Sequence, residues 1–88
     1  MAELNVDIVT PERLIFSGTA REIRVPGALG EFGVLPQHTE FLSLAREGIL
    51  TLVTASGEKK FEINGGFAEA GPDRVVVLAD SARDLAAK

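Results

Sequence analysis

The sequence predicts an all-β domain, a sandwich or a barrel, and three observations carry that reading. Apolar residues recur with a period close to two, turn signals interrupt them at short intervals, and the single helical signal is confined to the last residues. Leu4, Val6 and Ile8 alternate with Glu3, Asn5 and Asp7, as a strand with one wet face requires, and Thr10-Pro11-Glu12 ends that segment. Further turn signals stand at Ser17-Gly18 and at Pro26-Gly27, with Ile23 and Val25 alternating against Glu22 and Arg24 between them. Phe41, Leu42 and Leu44 are expected in the core, because alternation already accounts for them. Glu47-Gly48 opens residues 49 to 54, and Ser56-Gly57-Glu58 leads into residues 61 to 63. Ser56-Gly57 and Asn64-Gly65 read as two-residue hairpin turns in which glycine takes the positive φ, so consecutive strands are expected to be antiparallel neighbours. After Gly71-Pro72-Asp73, residues 75 to 78 form a solid apolar run suited to a strand covered on both sides. Ser81 can cap a short helix with Asp84 in its first turn, so a sandwich over residues 1 to 80 is expected to be followed by a helical or frayed tail over 81 to 88.

Composition bounds the function. Eighty-eight residues make one domain with one core, and 45% hydrophobic content with 25% charged residues is globular. Thirteen acids against nine bases leave a net charge of −4, and no basic cluster exceeds Lys59-Lys60, which argues against nucleic acid as a partner. The absence of cysteine removes disulfides, thiol chemistry and cysteine-based zinc sites. No signal-peptide pattern opens the chain and no apolar run approaches the ~20 residues of a membrane span, so a soluble, cytoplasmic protein is expected.

The stretch from Gly27 to Phe41 concentrates three glycines, a Leu-Pro step and His38, the only histidine. It lacks both the spacing of a phosphate loop and the helix such a loop must open, so the glycines at 27, 30 and 33 read as turns and bulges. His38 has no second histidine or cysteine to complete a metal site, and Glu31 and Glu40 are single acids of a kind common on loops. Ser17, Ser43 and Ser56 stand in no G-x-S-x-G elbow, and no pair of carboxylates is brought together by spacing. With catalytic and cofactor readings set aside, a docking surface is left, drawn from Glu31-Phe32, the segment from His38 to Leu44, and Gly66-Phe67-Ala68. A free-standing sandwich module for a small ligand or peptide is the alternative.

Five motifs occur in a recognisable order: Phe16-Ser17-Gly18, the run from Gly30-Glu31-Phe32-Gly33 through Val34-Leu35-Pro36-Gln37-His38, Gly48-Ile49, Gly65-Gly66-Phe67, and Val77-Leu78-Ala79-Asp80. Together they resemble the epsilon subunit of the bacterial F-type ATP synthase, from residue 3 to about residue 82. The resemblance implies a flattened antiparallel β-sandwich of about ten short strands. It implies a non-catalytic rotor subunit without cofactor, held by the gamma subunit and resting on the c-ring, peripheral to the cytoplasmic face of the bacterial plasma membrane. Glu31 and Phe32 then match the c-ring docking loop, and His38, Thr39, Phe41, Leu42 and Ser43 match the segment near gamma. The family's C-terminal helical hairpin would begin where this sequence ends, at Lys88, so neither its block of ATP hydrolysis nor its nucleotide binding is expected of these residues.

Overall fold

Alternation in sequence becomes alternation in burial. In the computed structural model, which describes residues 3–36 and 40–86, strand β1 (Leu4–Val9) buries Leu4, Val6 and Ile8 completely and leaves Asn5 exposed. Nine more strands follow among the described residues: β2 (Leu14–Ala20), β3 (Glu22–Gly27), β4 (Gly30–Val34), β5 (Phe41–Ala45), β6 (Gly48–Thr54), β7 (Gly57–Ile63), β8 (Gly66–Ala70), β9 (Arg74–Ala79) and β10 (Ala82–Asp84). They run in the spatial order β10-β7-β6-β3-β5-β8-β9-β1-β2, with β4 on the remaining edge of β3. The two ends meet, β2 lying against β6 and β10, so the path folds into two layers around one core. One layer is β2-β1-β9-β8-β5 and the other β4-β3-β6-β7-β10.

The layers join at β3. Its first half, Glu22–Arg24, pairs with β6, and on the same edge Gly27 alone pairs with Ala45 of β5. Two backbone hydrogen bonds frame that pair: the Arg46 N–H donates to the Pro26 carbonyl at 2.8 Å and the Ala28 N–H to the Leu44 carbonyl at 3.2 Å. The core between the layers takes Ile23 and Val25 from β3, Leu50 and Leu52 from β6, Phe61 and Ile63 from β7, and Val75 and Val77 from β9. Phe16 closes one side, its ring edge-on to Phe61 at 5.7 Å between centroids.

Several local expectations change. Consecutive strands pair in four hairpins, β1-β2, β3-β4, β6-β7 and β8-β9, whereas the link through Asn64-Gly65 carries the chain from one layer to the other. In the β6-β7 hairpin Thr54 faces Gly57, which makes Ala55-Ser56 the loop and puts the positive φ of Gly57 at the start of β7. The ladder between β1 and β9 is parallel. Ser17-Gly18 lies inside β2, where the missing side chain leaves room for the Phe16 ring.

Gly66 has the strictest requirement: its φ is +116°, and a Cβ there would collide with the Leu78 carbonyl across the ladder. Thr51, the one buried polar residue among those described, lies between Arg24 and Lys60 on the neighbouring strands, whose long stems cover it.

Among the described residues no helix follows Ser81. Ala82–Asp84 are a strand on the edge of β7, with Ala82 opposite Ile63 and Arg83 donating to Glu62 Oε1 at 2.8 Å. A helix must fix a whole turn before its first hydrogen bond forms, whereas the edge of β7 offers bonds one residue at a time.

Candidate interaction surface

The outer side of β5, β8 and β9 is apolar. Residues directly opposite on antiparallel strands share a face, and the register sets Leu44 against Phe67 and Phe67 against Leu78, a row across three strands. The next row is Leu42, Glu69 and Val76. Leu42 is 66% exposed, Leu44 56%, Phe67 46% and Leu78 49%. At about half of the roughly 150–250 Å² a large side chain offers for burial, the four present on the order of 400 Å², a size at which an apolar patch often marks a docking site.

This corrects the expectation that Leu42 and Leu44 belong to the core. Both alternating sets of β5 contain apolar residues, so periodicity alone does not choose between them. Pairing chooses: Ser43 lies opposite the buried Ala68 and turns inward with Ala45, which sends the leucines out.

The outer side of the other layer has the opposite character. Arg24 reaches Glu22 at 3.5 Å and Glu58 at 4.0 Å, Lys60 reaches Glu58 at 3.4 Å, and Arg83 pairs with Glu62 at 2.8 Å. Such exposed pairs add little stability but keep a face solvated. One outer face is therefore suited to water and the other to a partner.

The β3-β4 hairpin projects beside the apolar face. Its ladder runs from Ile23 opposite Val34 to Gly27 opposite Gly30, leaving Ala28-Leu29 as the tip. Gly30 holds φ +125° there, and Leu29 is fully exposed. Glu31 is exposed next to the tip. Phe32 is half-buried, packs on the core, and fills the space where a Cβ on Gly27 would meet its ring at 2.8 Å. Leu29, Glu31 and Phe32 line an open depression of about 670 Å³ together with Leu42 and Leu44, so hairpin and face are continuous.

Of the residues singled out in the sequence, Glu31, Phe32, Leu42 and Ser43 all line this depression, although Ser43 alternates on β5 with the outward Leu42 and Leu44. His38, Thr39 and the side chain of Phe41 lie outside the described residues. Leu29, Val76 and Leu78 were not singled out. For Val76 and Leu78 the signal is the solid run from Val75 to Leu78: Val75 and Val77 are covered by the core, and Leu78 is half-exposed among the described residues. Among the described residues no three acids, histidines or cysteines come together in a way that could hold a metal ion.

Similar proteins identify the family. An ATP synthase epsilon chain of Myxococcus xanthus is 52% identical over 85 residues, 97% of this chain and 62% of that protein, so the chain spans less than two thirds of this relative. The ATP synthase epsilon chain of Caulobacter vibrioides is 43% identical over 86 residues, covering 98% of this chain and 100% of its own length. In fold, the chain superposes with a TM-score of 0.89 on a chain of the Euglena gracilis mitochondrial ATP synthase, solved as an OSCP/F1/c-ring assembly, at 24% identity, covering 97% of this chain and 55% of that one. Residues 3–84 match the family described as ATP synthase, Delta/Epsilon chain, beta-sandwich domain, and on that match and these identities the chain belongs to the ATP synthase delta/epsilon chain family.

Proposed function

We propose that this chain is a non-catalytic central-stalk subunit of a bacterial F-type ATP synthase, linking gamma to the c-ring and coupling proton translocation to ATP synthesis. The contrast between the two outer faces carries the reading. An apolar row of Leu44, Phe67 and Leu78 is stable in water only at a cost, and a gamma subunit seated on it removes that cost. The β3-β4 hairpin is the element that reaches the polar loops of the c-ring, with Leu29 and Glu31 at the contact and Phe32 bracing them from the core. Leu42 belongs to the proposed gamma contact, and His38, Thr39, Phe41 and Ser43 are proposed for the same contact.

In this role the subunit holds no nucleotide, metal or cofactor and is peripheral to the cytoplasmic face of the plasma membrane, reaching the bilayer only through its partners. Among the described residues no helix is long and apolar enough to cross a membrane. Coupling needs a body that transmits torque between two contacts, which two sheet layers around one core supply.

The test is a pull-down from detergent-solubilised membranes with the tagged chain. Recovery of gamma and c subunits in fixed proportion is the expected result. Recovery of the chain alone would favour a free-standing binding module.

A further inference from the structure

Glu69 stands where an apolar face should not have a charge. It is exposed on β8, with Leu42 opposite on β5 and Val76 opposite on β9, and Phe67 lies two residues along the same side of its strand. Glutamate is depleted in strands even without such neighbours. The nearby cation does not serve it: Arg74, which lines the same depression, donates to Asp7 Oδ2 at 2.8 Å, and Asp7 is further held by the Ser17 hydroxyl at 2.7 Å. Glu69 forms no ion pair among the described residues. The depression at this end of the face, about 420 Å³, is lined by Glu69, Glu40, Leu42, Arg74 and Val76, and Glu40 likewise forms no ion pair there. The face therefore combines an apolar row at one end with two carboxylates, Glu69 and Glu40, that form no ion pair among the described residues at the other.

We propose that Glu69 sets the register of the docked partner: the segment seated here presents an apolar stripe to Leu44, Phe67 and Leu78 and places one arginine or lysine on the Glu69 carboxylate. This rests on the reading of the face as the gamma-binding surface. Apolar contact is non-directional and tolerates sliding along the strands. A charge pair enclosed by Leu42 and Val76 does not, because a shifted partner leaves both ions desolvated and unpaired. In a contact that carries torque, one such pair fixes the seating that the apolar row only permits.

The experiment measures binding of the purified gamma subunit to three forms of the chain, wild type, Glu69→Gln and Phe67→Ala, with thermal melts of each. Glu69→Gln keeps shape and removes charge, so the expected result is an unchanged melt with Kd raised about 10- to 100-fold, and Phe67→Ala weakened as well. If Glu69→Gln binds as wild type or more tightly while Phe67→Ala is weakened, the charge inference is overturned and the docking face stands. If neither variant is weakened, the docking face itself is wrong and the inference falls with it.

Discussion

Replacing Phe67 by alanine should separate docking from folding. The ring is 46% exposed on the outer side of β8, between Leu44 and Leu78. A partner covering the exposed half buries on the order of 90 Å² of aromatic surface, which at ~25 cal/mol per Å² is about 2 kcal/mol, or roughly 30-fold in Kd. Folding keeps the exposed half in water either way and loses the two cross-strand pairs with Leu44 and Leu78, about 0.2–1 kcal/mol each, a fall of less than ~16 °C in a domain of this size. Calorimetric titration with purified gamma subunit, beside thermal melts, measures both. A Kd within about threefold of wild type would refute the assignment of this face. A melt lowered by some 20 °C would show instead that the ring works as core.

Leu29→Ser at the tip of the β3-β4 hairpin removes a fully exposed side chain, so the melt should not move while proton pumping by reconstituted membranes falls. Glu31→Ala should likewise change stability by no more than about 0.5 kcal/mol and reduce pumping; a collapsed melt with normal pumping would make Glu31 structural. Gly66→Ala forces a side chain into a φ of +116° and onto the Leu78 carbonyl, and should cost on the order of 3 kcal/mol or more, read as a large loss of melting temperature. Arg83→Ala breaks a pair with Glu62 that is exposed on both sides, and its melt should stay within a few degrees of wild type.

The fold was readable wherever one side of a strand is apolar and the other polar. Leu4, Val6 and Ile8 show this, as does Phe61 with Ile63. It was misread where that contrast fails. In β5 the alternating sets hold Leu42 and Leu44 on one side and Ser43 and Ala45 on the other, and only the long-range pairing with β8 decides which turns inward. Ser81 to Asp84 carry a real capping pattern, yet the neighbouring edge of β7 outcompetes a local preference.

The docking face was half visible. An apolar run from Val75 to Leu78 announced two covered sides, but a sequence does not say whether the second cover comes from the same chain. Glu69 carried no signal at all, since its unusual position exists only once Leu42 and Val76 are brought to either side of it.

The join between β3 and β5 has a mechanical consequence. The β3-β4 hairpin is part of one layer and the apolar face part of the other, and along the direct route between them the sheet narrows to the pair of Gly27 with Ala45 and its two hydrogen bonds. Force entering at Leu29 and leaving at Phe67 acts across those bonds as shear, and this is the narrowest section of the ladder in its path. Compliance is expected there, where the β3-β4 hairpin can twist against the layer that holds β5. A chain loaded across that join responds as a short, stiff torsion spring, in the angle between its two layers.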